Sequence, residues 1–141
     1  MAVLRFRIKS TLTPAEVMSV LTDFSPARAE NWPTIDAEHF TVHARGDTWA
    51  EVTEGTASAW ERARYDWDHA GDTVTITTLD SKVFGPGGGW VFTTTPEGAG
   101  TRIDVQLTRH PSTFKSRMLA AVLPFASPVF RKSFKEPLKG E

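Results

Sequence analysis

Residues 114–130 read FKSRMLAAVLPFASPVF, and their spacing decides what kind of fold the chain makes. Phe114, Met118, Val122, Phe125 and Val129 recur at intervals of four, four, three and four, which is one stripe of an α-helix. Leu119, Leu123, Ala126 and Phe130 widen the stripe to nearly half the helical surface. Pro124 removes a helical hydrogen bond and predicts a kink near residue 120. Pro128 either repeats that effect or, with Ser127, begins a separate helix. The whole element covers about 24 residues and roughly 36 Å, and nothing else in the chain predicts a helix of comparable length.

Upstream the pattern is different. Residues 3–9 alternate, with Leu4, Phe6 and Ile8 on one face and Arg5, Arg7 and Lys9 on the other, as in a half-buried strand. Thr13-Pro14-Ala15-Glu16 reads as a capped helix start, and Val17, Val20 and Leu21 give that helix an apolar stripe ending near Asp23. Ser25-Pro26 starts a second short helix over 26–31, which stops before Trp32-Pro33. From residue 38 to 109, turn signals recur at intervals of about 10 residues and separate six strands: 38–44, 48–54, 57–67, 73–80, 89–95 and 101–109. Val74 and Ile76 share a face, as do Trp90 and Phe92, and Ile103, Val105 and Leu107. One wet and one buried face indicate an antiparallel sheet. The expected fold is therefore α+β: a seven-stranded antiparallel sheet curled around a long C-terminal helix, with two short helices after strand 1. Sheet and helix rarely fill the space between them, and the remainder is a cavity.

Length and composition narrow the class. A chain of 141 residues is one ordinary domain, here 1–141, large enough for a hydrophobic core. A net charge of -1 argues against nucleic-acid binding. The absence of cysteine excludes disulfides, a thiol nucleophile and Cys-ligated metal sites. The N-terminal segment interrupts its apolar residues with Arg5 and Arg7, unlike a secretory signal, and no window resembles a membrane span, so a cytoplasmic protein is expected. Five Trp residues against one Tyr is an unusual aromatic set.

The order of elements resembles the START-like, or SRPBCC, superfamily, whose helix-grip fold is shared by birch-pollen allergens, polyketide cyclase/dehydrases and lipid-transfer domains. The local carriers are Thr13-Pro14-Ala15-Glu16-Val17 leading to Leu21-Thr22-Asp23, and Trp60-Glu61-Arg62-Ala63-Arg64-Tyr65-Asp66-Trp67. Others are Asp80 to Gly87 followed by Trp90, Gly100-Thr101-Arg102, and Phe130-Arg131-Lys132-Ser133-Phe134. The resemblance covers essentially the whole chain and is nearest to stand-alone bacterial members described as polyketide cyclase/dehydrase-like. It implies a hydrophobic ligand cavity, with Trp32 at its mouth. The superfamily includes binders, carriers and enzymes, so function rests on the site.

Candidate sites compete with ordinary structural roles. His39 and His43 share a strand face but stand about 13 Å apart, His69 sits in a turn and His110 in a loop, so no metal is expected. Gly85-Pro86-Gly87-Gly88-Gly89 precedes a strand rather than a helix, which excludes a phosphate cradle and leaves an inter-strand loop or a flap at the cavity mouth. No nucleophile elbow or Ser–His pair is present. Acid–base candidates for a cyclase or dehydratase are Glu51, Glu61, Arg62, Arg64 and Tyr65.

Hairpin 48–67 determines which of these meet a ligand. A two-residue turn at Gly55-Thr56 places Glu51 opposite Trp60 and Trp49 opposite Arg62. If Ala57, Ala59, Glu61, Ala63, Tyr65 and Trp67 face inward, they leave room for a ligand. If Trp60, Arg62 and Arg64 do, they bind an anionic head group. Hydrophobicity favours the first arrangement, and both stay open. Trp90, Phe92 and Phe114 are core or cavity wall, and Met118 and Val122 lie on the helical stripe that faces the cavity.

Residues 112–141 hold six cations against two anions, which is +4, and leave -5 for the rest. That end is read either as ordinary cation preference near a helix C-terminus or, less favoured, as docking to an anionic membrane. The expected function is binding of a small hydrophobic or amphipathic molecule (lipid, fatty acid or polyketide-like) between sheet and C-terminal helix, without a cofactor, by a monomer or homodimer. The alternatives are a cyclase or dehydratase in the same cavity, or a partner-binding module whose cavity is residual.

Overall fold

The alternation at the N-terminus forms strand β1 (Ala2–Ser10), in which Leu4, Phe6 and Ile8 are buried and Arg5, Arg7 and Lys9 are exposed. A computed structural model of the chain describes residues 2–68, 70–111 and 113–140; His69 and the side chain of Phe114 lie outside the described residues. Helix α1 (Pro14–Leu21) begins with the expected box: Thr13 accepts from the Glu16 amide while the Glu16 carboxylate accepts from the Thr13 amide. Helix α2 (Ala27–Asn31) follows, and Trp32 ends it in an extended conformation before Pro33.

Strands β2 (Thr41–Arg45), β3 (Trp49–Glu54), β4 (Glu61–Trp67), β5 (Thr73–Ser81), β6 (Gly89–Glu97) and β7 (Gly100–Arg109) form a continuous antiparallel meander. Strand β1 closes it by pairing with β7, giving the order β1-β7-β6-β5-β4-β3-β2. Leu4 lies opposite Leu107, Phe6 opposite Val105 and Ile8 opposite Ile103, so apolar residues of neighbouring strands stack on one face. Together with α1 and the C-terminal helices over that face, this is the expected helix-grip architecture.

Three elements differ from the sequence reading. Residues 37–39 form a 3-10 turn capped by Asp36 before the second strand begins. The third strand and its neighbour are joined by a six-residue loop, 55–60, not a two-residue turn. Gly55 has φ +133°, and its carbonyl accepts from the Asp36 amide, which diverts the chain away from early pairing. Ala57, Ser58 and Ala59 carry too little side chain to hold a ladder together. Glu51 therefore faces Arg64, and Trp49 faces Asp66.

The third difference is the face of the C-terminal helix that is buried; the helix is split, with Ser127-Pro128 beginning a separate helix, one of the two arrangements the prolines allowed. Helix α3 (Phe114–Val122) passes through a 3-10 turn over Leu123–Phe125 into α4 (Ser127–Lys135). Pro124 and Pro128 each occupy the first turn of the next helical piece, where the missing N–H has no partner to lose. Ser116, Ala120, Leu123 and Phe134 are buried, with Phe130 partly buried between them, and they keep one helical phase through the break; Met118, Val122, Phe125 and Val129 form the opposite stripe and point outward.

The glycines at the start of β6 serve close packing. At Gly89, φ is +151° and a Cβ would stand 1.8 Å from the Ile76 carbonyl oxygen; at Gly88 the Thr108 carbonyl oxygen would be 2.1 Å away. The Thr78 amide donates to the Gly88 carbonyl, fixing the loop against β5. Gly89→Ala should lower the free energy of unfolding by about 2–3 kcal/mol through this strain. Gly98→Ala, at φ +60° with nothing within 4 Å of the new methyl, should cost only about 1 kcal/mol in the same urea titration.

Candidate ligand cavity

A cavity of about 350 Å³ separates the buried face of the sheet from α4. Its wall is aromatic because β6 carries Trp90 and Phe92 in phase and α4 brings Phe130 and Phe134 one turn apart. Trp90 meets Phe130 edge-on at 5.2 Å, Trp32 meets Phe134 edge-on at 5.6 Å, and Phe92 lies 5.9 Å from Phe134. Thr34, Ala59 and Val129 are the exposed residues of the lining, and they mark where it meets solvent.

Four of the ligand contacts expected from the sequence line this cavity: Trp32, Trp60, Trp90 and Phe92. The acid–base candidates Glu61 and Tyr65 line it as well. Glu51, Arg62 and Arg64 do not. They sit on the outer face of the sheet, because Ala63 and Tyr65 of β4 turn inward as hydrophobicity favoured. There Arg62 donates to Glu51 at 2.9 Å, and Arg64 lies 4.6 Å from the Trp49 ring centroid, in surface contacts. Met118 and Val122 face solvent, because α3 turns the smaller Ser116 and Ala120 inward and puts the stripe of large apolar residues on its outer side. Phe114 belongs to α3, but its side chain lies outside the described residues. His39 contacts Asp36, His43 contacts Thr53, and His110 is exposed. Among the described residues no three His, Asp or Glu side chains converge as a metal site would require.

The cavity also holds two buried arginines that the sequence reading passed over. Arg28 of α2 is 3% exposed and its donors are widely used. Nε donates to Glu54 at 2.6 Å, Nη1 to the carbonyls of Leu21 and Asp23 at 3.1 and 3.0 Å, and Nη2 to Tyr65 Oη at 2.9 Å. Phe24 packs against the guanidinium at 4.7 Å. Tyr65 Oη donates in turn to Glu54. Burial opposes the charge on Arg28, but the adjoining Tyr65 oxygen and Glu54 carboxylate outweigh it and raise its pKa above the ordinary value. Burial, helped by the Glu54 charge, holds the Tyr65 hydroxyl well above its ordinary value of 10.0.

Arg109, the last residue of β7, is 6% exposed and less completely bonded. Nη1 donates to Thr78 Oγ1 at 2.7 Å and to Glu61 Oε1 at 3.2 Å, and Thr78 Oγ1 donates to Glu61 as well. Its Nε is buried, and among the described residues it has no hydrogen-bond partner. The ring of Phe84, in the segment between β5 and β6, packs against the guanidinium at 5.5 Å. The signal for Arg109 was present in the sequence. Thr101, Ile103, Val105, Leu107 and Arg109 share one parity, so an arginine ends an inward-facing row. Thr78 follows Val74 and Ile76 in the same way. Arg28 had no such signal, because a five-residue helix has no stripe to read.

No protein-family model and no curated protein matches the chain. Solved structures do match it along nearly its whole length. A START superfamily protein from Mycobacterium smegmatis superposes with a TM-score of 0.77 at 11% identity, covering 99% of this chain and 98% of that one. A protein from Thermus thermophilus gives 0.72 at 16% identity, covering 97% and 92%. The Zhui aromatase/cyclase from a Streptomyces species gives 0.69 at 14% identity, covering 93% and 89%. The chain has the START-like helix-grip fold; at these identities the likeness extends to the fold alone.

Tyr65 is the chain's single tyrosine, so its titration is readable without mutagenesis. Its raised pKa adds stability that is fully present below pH 10.0 and is lost as pH rises toward the folded-state value. Ultraviolet titration should show tyrosinate absorbance appearing well above pH 10.0 in the folded protein, and at the ordinary value in urea. A folded-state midpoint near 10.0 would contradict the buried Arg28–Glu54–Tyr65 network.

Proposed function

We propose that this START-like helix-grip chain binds a small, predominantly apolar and uncharged molecule that carries a hydroxyl or carbonyl oxygen. The observation that carries this reading is an aromatic-walled cavity of about 350 Å³ containing a buried guanidinium with an unpartnered nitrogen. The volume falls within the range of small-molecule sites, roughly 300–1,000 Å³. Apolar burial supplies the affinity, at about 25 cal/mol per Å² removed from water. Orientation comes from the Arg109–Glu61–Thr78 cluster. A ligand oxygen accepts from the Arg109 guanidinium, which lines the cavity and is not fully bonded among the described residues.

Charge balance argues for a neutral ligand over a fatty acid. Arg28 already faces Glu54 at 2.6 Å, and Arg109 already faces Glu61 at 3.2 Å. A further buried carboxylate would lack a counter-charge, at a penalty of several kcal/mol. A hydroxyl meets no such penalty, and it can accept from Arg109 while donating to Glu61. Acid–base catalysis has less support. The Glu61 carboxylate is already engaged by Thr78 and Arg109, and the Tyr65 proton is given to Glu54.

Native mass spectrometry of the protein purified from its own host should find a co-purified small molecule. Extraction should identify it as a neutral alcohol, phenol or ketone. An extracted carboxylic acid would contradict the charge argument, and an empty cavity would contradict the binding reading itself. The paired variant Arg109→Met/Glu61→Gln, which removes both charges at similar volume, should weaken binding of the extracted molecule about tenfold in calorimetry, or about 1.4 kcal/mol. The apolar part of the interaction should persist in that variant.

A further inference from the structure

Among the described residues, all the exposed large apolar side chains except Leu79 lie on one short segment, 118–129. Met118 is 60% exposed, Val122 59%, Phe125 82% and Val129 65%, and Leu119 adds a further 39%. They form one helical stripe on the side of α3 and α4 opposite the buried Ser116, Ala120, Leu123 and Phe134. Phe125 stands in the 3-10 turn at the corner between α3 and α4, so the patch is a ridge with an aromatic at its apex rather than a groove. An apolar ridge of this kind on a protein surface marks a contact with something else.

Cations surround it. Lys115 and Arg117 are exposed on α3, and Arg131, Lys132 and Lys135 are exposed on α4. Among the described residues none of these five takes part in a salt bridge. The α4 cations continue across the surface beside Arg7 and Lys9 of β1, and beside Lys139. Lys132 lies one turn beyond Val129, so the basic field begins where the apolar ridge ends. Anions do lie nearby: Glu136 adjoins Lys132 and Lys135, Asp104 holds Arg7, and Glu97 lies 3.9 Å from Lys9.

We propose that the α3–α4 corner docks on an anionic lipid surface, with Phe125 and Met118 entering the acyl boundary and the surrounding lysines and arginines meeting phosphate head groups. Two features favour lipid over a second copy of the chain. A two-fold contact through this ridge would set its cations against the same cations of the partner. A protruding ridge also needs a recess to enter, and a bilayer surface yields where a protein surface does not. No helix among the described residues is long and apolar enough to cross a membrane, so the contact is peripheral. Val129 belongs to both the ridge and the cavity lining, so docking brings the open side of the cavity to the lipid.

The test is flotation of the full chain with phosphatidylcholine vesicles, with and without phosphatidylglycerol. Wild type should float with the phosphatidylglycerol vesicles, much less with phosphatidylcholine alone, and less at high salt. Met118→Ser/Phe125→Ser should lower the bound fraction by about tenfold or more. Neither residue lines the cavity, so the small molecule extracted from the protein should be unchanged, which separates failure here from failure of the binding reading. Lys132→Glu/Lys135→Glu should weaken binding to phosphatidylglycerol vesicles about tenfold, from two reversed surface charges. Wild type that stays out of the phosphatidylglycerol fraction overturns the proposal. So does a Met118→Ser/Phe125→Ser variant that still floats. A dimer in analytical ultracentrifugation that dissociates in the same variant assigns the ridge to a second copy, and also overturns it.

Discussion

Seven antiparallel strands present one large apolar face, and the C-terminal half of its cover is two nine-residue helices joined by a 3-10 turn. That mismatch governs the rest of the molecule. The helices reach the sheet through a few large side chains, among them Leu123, Phe130 and Phe134, and through the partly buried Ala126. Between those contacts and the strands the side chains do not close the gap. Close packing is the norm in protein interiors, so a space of about 350 Å³ beside a complete core is a feature of the architecture.

The polar groups in that space divide by how fully they are satisfied. Arg28 links α1, α2, β3 and β4 through a carboxylate, a phenol and two carbonyls, and its removal would leave several buried acceptors without a donor. It closes one end of the cavity and acts as structure. Arg109 is buried to a similar degree but keeps an unpartnered nitrogen, covered by Phe84 from the glycine-bounded segment before β6. Two arginines with similar burial thus differ in what remains for a ligand to use.

The C-terminal segment carries apolar residues on two opposite sides, and that exposes the ridge. Ser116, Ala120, Leu123, Phe130 and Phe134 recur at helical spacing across the break at Pro124 and Pro128 and cover the sheet. Met118, Val122, Phe125 and Val129 form the opposite stripe and face out. Cavity and ridge then share Val129, and the open side of one adjoins the other.

The periodicities of the sequence were enough for the element order, the number of strands and the capping box at Thr13 and Glu16, and they favoured the inward face that β4 adopts. These depend on residues close together in the chain or on side-chain parity, and parity survives errors in pairing. The expected and observed registers of the β3–β4 hairpin differ by four residues, an even number, so every side chain kept its face while Glu51 exchanged Trp60 for Arg64. Tertiary structure alone decided the register, because it follows from a loop anchored by a bond between Gly55 and Asp36, distant in sequence. It also decided which face of the C-terminal helices is buried, because both sides of the segment carry large apolar residues and only contact with the sheet selects between them. The two arginines joined their carboxylates by the same route. Arg28 lies 26 residues from Glu54, and Arg109 lies 48 from Glu61, separations that no local pattern spans.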